Sequence, residues 1–211
     1  MVMKVAPWRI MRDKTALLVI DMQNAFVEEG GPLEVPMARA CVPAIQRLLA
    51  ACRQLGVPVI YTVSSHYVDG VLVSPLELAY QPELKARLIK PGTHAYEVYA
   101  SLAPGPGDFV LQKHRFDAFY NTNLDTLLHT MRFPTVIDTV IITGTVTSIC
   151  CESTARSAFM RDYKVAFASD GTGGLDADSH NATLRILGRC FARVMTIDEI
   201  IQELKEPASR P

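Results

Sequence analysis

Val136-Ile-Asp-Thr-Val-Ile-Ile-Thr143 runs directly into Gly144-Thr-Val-Thr-Ser-Ile-Cys-Cys-Glu-Ser-Thr154. The first stretch has the length and β-branched content of a buried strand. The second leads into Ile149 to Tyr163, where Ile149, Ala155, Ala158, Phe159 and Tyr163 suit one face of a helix. The pattern predicts a strand that breaks at Gly144 and a helix that begins near Ser148. Cys150 and Cys151 then fall in the first helical turn, where unpaired backbone N–H groups and the positive end of the dipole favour thiolate over thiol. Periodicity does not choose between the two, because neighbours on a helix point only about 100° apart.

Working outward, Ala16 to Ile20 is a short apolar run that ends in Asp21, as a central strand with a carboxylate at its carboxyl end would. Ala38 to Leu55 reads as a helix, with Val42, Ile45, Leu48, Leu49 and Cys52 on one face and Gly56 as its stop. Strands are expected at Val57 to Val63 and Phe109 to Leu111, the latter just before Lys113, and a helix at Leu124 to Met131. Beyond the cysteines come a strand at Lys164 to Ser169, a helix at Ser179 to Cys190, a strand at Ala192 to Met195 and a helix at Ile197 to Leu204. Six strands alternating with helices predict an α/β fold, a three-layer α/β/α arrangement around a six-stranded parallel, Rossmann-like sheet, since parallel neighbours need crossovers. In such sheets the ligand crevice lies beyond the carboxyl ends of the strands. Asp21, Lys113 and the two cysteines all fall at that end.

The 211 residues suit one domain, with a core from about residue 15 to residue 204 and a flexible tail over residues 206–211. A net charge of −1 supplies no electrostatic footprint for nucleic acid or an anionic membrane. No apolar run approaches the roughly 20 residues of a membrane span, and the N-terminal residues lack a secretory h-region. Five cysteines, an odd count without CxxC, read as free thiols of a cytoplasmic protein. His66, His94, His114, His129 and His180 show no close ligand spacing, and Gly171 to Gly174 reads as a turn, not a phosphate loop. The irregular segment Ser64 to Asp108, with a helix at Pro82 to Ile89, is long enough to serve as a lid, a binding element or an oligomer contact.

Three separated motifs occur in order: Leu-Val-Ile-Asp21-Met-Gln-Asn-Ala-Phe26, Lys113-His-Arg-Phe-Asp-Ala-Phe-Tyr120, and the Gly144 to Thr154 stretch. Together they resemble the isochorismatase-like cysteine hydrolase superfamily over about Thr15 to Leu204. The resemblance implies that Cys150, three residues after Thr147, is the nucleophile, with Asp21 and Lys113 as its partners. It also implies a cis peptide between Thr145 and Val146, and an oxyanion hole formed by the backbone N–H groups of Val146 and Cys150. Nicotinamidases of this superfamily carry a metal-binding Asp-x-His where this chain has Ser64-Ser65-His66, so neither a catalytic metal nor a cofactor is expected. The nucleophilic cysteine points to the amidase branch, away from true isochorismatases. The Phe-Tyr-Asn-Thr-Asn-Leu-Asp run after Lys113 and the Gly92-Thr93 region are most similar to ureidoacrylate amidohydrolases, with biuret and N-carbamoylsarcosine hydrolases close by.

The expected activity is metal-independent hydrolysis of a C–N bond in a small linear amide or ureido or carbamoyl compound, with ammonia released and a Cys-bound acyl intermediate. Phe26, Phe116 and Phe119 are candidate pocket walls and Asn24 a candidate substrate contact. Lys113 and the helix start are expected to lower the thiol pKa, and Asp21 to take the thiol proton. Members of the superfamily form dimers or tetramers, so a homo-oligomer is expected. Competing readings are an isochorismatase-type or other small-molecule hydrolase of the same fold, and a non-catalytic oligomeric binding protein. A redox pair of Cys150 and Cys151 would need a strained ring between neighbours.

Overall fold

Residues 8–68, 71–72 and 74–206 are described in a computed structural model. Six of its strands form one all-parallel sheet: β1 (Thr15–Ile20), β2 (Val59–Ser64), β5 (Phe109–Lys113), β6 (Thr139–Thr145), β7 (Lys164–Gly173) and β8 (Arg193–Met195). The short strands β3 (Tyr67–Val68) and β4 (Val71–Leu72) pair only with each other. The sheet order is β5-β2-β1-β6-β7-β8, so the chain winds outward from β1 in one direction and then crosses back to wind in the other. The order reverses between β1 and β6, which opens a crevice beyond their carboxyl ends.

The central strands are apolar on both faces because each face is covered. Leu17 and Val19 of β1 pack into a cluster built with α2 (Pro36–Leu55) and α7 (Ile197–Lys205). Ala16, Leu18 and Ile20, one residue out of step, pack into the opposite cluster with α4 (Leu124–Thr130), α5 (Glu152–Phe159) and α6 (Ala177–Cys190). That alternation is the period-2 geometry of a strand covered on both sides. Local signals place the helix ends. Pro36 opens α2 and Gly56 closes it at φ 69°, while Thr196 and Glu199 form a capping box at the start of α7.

The expected strands, and every expected helix but the one at Pro82 to Ile89, are present, with boundaries that shift for identifiable reasons. The strand of the opening stretch starts at Thr139 and runs through Gly144 to Thr145, pairing Gly144 with both Ile20 and Thr172. Gly144 therefore does not break the strand. It adopts φ 114° and lets the backbones of β1 and β6 approach, and a register irregularity against β7 lies between Ile142 and Gly144. The glycines at Gly171 and Gly173, read as a turn, are the last part of β7. The helix expected from Ser148 is two pieces, a wide i→i+5 turn over Thr147–Cys151 and then α5. Between residues 64 and 108 the chain forms α3 (Pro75–Tyr80) and three short 3-10 turns instead of one helix at Pro82 to Ile89. Glu206 accepts an ion-pair contact from Arg9, and the rest of the expected tail lies outside the described residues.

A Cβ at Gly144 would lie 2.0 Å from Ile20 O and 2.6 Å from Ile20 N, whereas one at Gly107, also at positive φ (89°), meets nothing within 4 Å. Gly144→Ala is therefore expected to lose more than about 4 kcal/mol or fail to fold, and Gly107→Ala to lose about 1 to 3 kcal/mol. Urea denaturation of the two variants checks this. Equal losses would mean that φ alone, and not the approach to Ile20, requires the glycine.

Candidate active site

Three strand ends deliver the polar groups of the crevice. Asp21 follows β1, Lys113 ends β5, and Cys150 lies in the turn after β6. Asp21 has left-handed backbone (φ 50°), and its N–H faces both the carbonyl and the hydroxyl of Thr62 on the neighbouring strand, at 3.1 and 3.2 Å. The Thr62 hydroxyl donates to Asp21 Oδ1 at 2.7 Å. Lys113 Nζ sits 2.7 Å from Asp21 Oδ2, with the two side chains 0% and 1% exposed. The same ammonium donates to Arg115 O at 3.0 Å and to Cys150 Sγ at 3.5 Å. The ammonium thus lies in ion-pair contact with a carboxylate and donates to a carbonyl and a thiol.

Burial acts against the charge of Lys113, yet the neighbouring Asp21 and Cys150 hold its pKa above the ordinary lysine range. Burial pushes the Cys150 thiol up to about 12, with the Lys113 charge pulling it down and Asp21 pushing it further up. This corrects the expected activation. Cys150 is 7% exposed and precedes the first residue of α5, so desolvation outweighs both the ammonium and any helix-terminus effect. Burial thus favours the thiol form of Cys150 beside the Asp21–Lys113 contact. Cys151 is fully buried, its thiol is also raised by burial, and its Sγ faces Thr143 O at 4.0 Å.

The peptide between Thr145 and Val146 is cis. Val146, Ile149 and Cys150 line a cavity of about 770 Å³ together with Phe26, His66, His114, Arg115 and Phe116. Glu77, Gln81, Glu83, Leu84 and Arg87, from the segment between residues 64 and 108, line it from the far side. Phe26 and Phe116 are therefore at the cavity wall. Phe119 is not: it is buried in the core between Tyr163, at 5.8 Å between ring centroids, and the Arg161 guanidinium. Asn24 is also away from the cavity, and its amide donates to His94 O at 2.9 Å, pinning α1 (Asn24–Val27) to the loop beyond it.

Sequence reasoning missed Thr62, Gln23, Arg115 and Arg87. Thr62 carried a legible signal, a hydroxyl near the carboxyl end of an apolar strand. Gln23, fully buried, accepts from Ser64 N–H and donates to Ser64 O and Tyr96 O, tying the Asp21 loop to β2. His66 Nδ1 accepts from Ile89 N–H at 3.0 Å, and burial followed by the Lys113 charge lowers its pKa.

Residues 15–199 match the family described as Isochorismatase domain. The chain belongs to the isochorismatase family of hydrolases. A relative from Rhizobium rhizogenes, the ureidoacrylate amidohydrolase RutB, is 30% identical over 220 residues, covering 96% of this chain and 88% of its own. A cysteine hydrolase from Pseudomonas syringae pv. phaseolicola is similar in structure, with a TM-score of 0.86, 33% identity and coverage of 96% of this chain and 98% of its own. The N-carbamoylsarcosine amidase of Thermoplasma acidophilum superposes with a TM-score of 0.71 at 33% identity, covering 89% of this chain and 98% of its own.

The raised thiols make a pH prediction. Cys41 is pushed up to about 11, and Cys52 and Cys150 to about 12, by burial first in each case. An unfolded thiol releases its proton near 8.5, so above that pH the unfolded chain binds fewer protons than the folded one. The stability contribution is fully present below about pH 8.5 and is lost as pH rises toward 12. Denaturant midpoints are expected to rise from pH 6 to about 7.5, because burial lowers the pKa of His66 and His180, and to fall from pH 9 upward, with a shallower fall in Cys150→Ser.

Proposed function

We propose that this protein is a cysteine amidohydrolase that removes ammonia from a small ureido or carbamoyl acid, with Cys150 as nucleophile. The single observation that carries the reading is the contact of one buried ammonium with both the Asp21 carboxylate and the Cys150 thiol. The names of the relatives, an amidohydrolase of a ureido acid and an amidase of a carbamoyl amino acid, support the substrate class.

In the proposed cycle the thiol proton passes to Asp21 as sulfur attacks the carbonyl carbon, so no free thiolate accumulates in the resting site. Lys113 remains an ammonium throughout and offsets the charge that appears on sulfur. The carbonyl oxygen becomes an oxyanion held by the backbone N–H groups of Cys150 and Val146; losing one such donor typically costs about 10² to 10³ in rate. Asp21 returns its proton to the departing nitrogen, and ammonia leaves. Water then attacks the carbamoyl or acyl thioester, giving one proton back to the sulfur through Asp21 and releasing the acid product. No step is routed through a metal or a cofactor.

Arg87 and Arg115 both line the cavity, and among the described residues neither has a carboxylate within ion-pair distance. They are the proposed partners of the substrate carboxylate. The cysteines are free thiols, which suits a reducing, cytoplasmic setting, and a homodimer or homotetramer is part of the same reading.

Ammonia release from ureidoacrylate, N-carbamoylsarcosine, biuret and nicotinamide tests the proposal. The ureido acids are expected to be turned over best, Cys150→Ser to abolish turnover and Cys151→Ser to keep most of it. Full activity in Cys150→Ser would refute the assignment. Arg115→Leu is expected to raise KM for a ureido acid about 10- to 100-fold while leaving uncharged biuret nearly unaffected, the size of one lost charged hydrogen bond.

A further inference from the structure

The segment that carries the two thiols is gripped at both ends by one helix. Thr147, fully buried, opens the i→i+5 turn, and its Oγ1 lies 2.9 Å from His180 Nδ1 on α6. Three residues along α6, the Thr183 hydroxyl donates to Glu152 Oε2 at 2.9 Å, where the turn passes into α5. Residues three apart share a helix face, so α6 presents two polar side chains to the two ends of the turn, with Cys150 and Cys151 between them. The two grips differ in strength. Glu152 is held independently, since Arg156 donates to its other oxygen through Nε at 2.9 Å and Nη2 at 2.7 Å. The Thr147 hydroxyl has, among the described residues, His180 as its hydrogen-bond partner.

His180 is buried, and burial lowers its pKa while a backbone hydrogen bond with Ser169 of β7 pulls the other way. A neutral imidazole results near pH 7, and both it and a hydroxyl can donate or accept, so the pairing with Thr147 is satisfied in either sense. Neither His180 nor Thr147 lines the cavity, so a substrate there does not touch them. Any effect they have on the reaction must pass through the turn.

We propose that His180 is a positioning residue: by holding Thr147 it fixes the turn that keeps the Cys150 thiol on the Lys113 ammonium. This rests on the reading of Cys150 as the nucleophile. The Sγ to Nζ separation is 3.5 Å, an ordinary length for a hydrogen bond to sulfur, and contact is lost within about another 0.5 to 1 Å. A small drift of the turn therefore separates the sulfur from its cation and from the proton acceptor beside it.

The test compares variants of the full-length protein with a ureido acid as substrate. His180→Leu and Thr147→Val remove the link, whereas His180→Asn and Thr147→Ser retain a hydrogen-bonding group at each end. The link-breaking variants are expected to lose up to about 10²-fold in kcat, the cost of an ångström-scale misplacement, with KM within about twofold of wild type. The conservative variants are expected to recover most of that loss. Wild-type kcat in His180→Leu, a KM rise of equal size, or a loss that the conservative variants do not rescue would each overturn the proposal. If His180→Leu does not fold, Thr147→Val against Thr147→Ser decides by the same criteria. If the wild type releases no ammonia from any ureido compound, the proposed substrate class fails, and crystal structures of wild type and Thr147→Val then decide the positioning role. An Nζ to Sγ separation longer by about 1 Å in the variant supports it, and an unchanged separation overturns it.

Discussion

A lysine and an aspartate paired at 2.7 Å with essentially no exposure set the terms for the whole carboxyl edge of the sheet. Burying two charges is costly, and leaving one of them without its partner typically costs about 3 to 5 kcal/mol. The fold meets that demand by surrounding the pair with oriented dipoles. Thr62 serves Asp21 from the next strand, the Arg115 carbonyl serves Lys113 from its own loop, and the ammonium also donates to Cys150. All of these groups come from strand ends or the turns just beyond them, which an all-parallel sheet aligns on one edge. The reversal of strand order between β1 and β6 then leaves the space that a ligand enters.

The same burial that encloses the ion pair raises the pKa of the Cys150 thiol. In a more open site beside Lys113, a cysteine would be partly ionised and exposed to oxidants and stray electrophiles. In the proposed cycle the carboxylate that receives the proton is already in place, held by a threonine and a lysine. Proton transfer can accompany attack on a carbonyl instead of preceding it. The rigid surroundings matter for that coupling. Gln23 ties the Asp21 loop to β2, Gly144 brings β6 against β1, and α6 braces the turn that carries the sulfur.

Most of the fold was legible because its signals are local. Apolar runs with β-branched residues gave the six strands, a helical stripe closed by Gly56 gave α2, and alternation with helices implied the parallel sheet. Where the reading drifted, tertiary contacts overrode local pattern. Gly144 and Gly173 look like chain breakers in sequence, yet pairing with Ile20 and Thr145 keeps them in β6 and β7. The i→i+5 turn follows no local pattern in the sequence, and its first residue, Thr147, is in contact with His180, 33 residues away. Phe119 and Asn24 stand close in sequence to Lys113 and Asp21, but proximity along the chain says nothing of side-chain direction, and both point away from the cavity. Arg87 and Arg115 become visible only when the strands and the segment from residue 64 to residue 108 are placed in space, whereas Thr62 stood in the sequence as a hydroxyl near the carboxyl end of an apolar strand.

The central claim is that Cys150 attacks the substrate carbonyl with Asp21 as proton acceptor. Its most direct measurement is acid-quench mass spectrometry of the protein mixed with a slowly hydrolysed ureido acid, followed by peptide mapping. The account predicts one carbamoyl or acyl adduct, on the peptide containing Cys150 and assigned by fragmentation to that residue, absent in Cys150→Ser and strongly reduced in Asp21→Asn. An adduct on Cys151, or turnover at the wild-type rate with Cys150 replaced by serine, would contradict it.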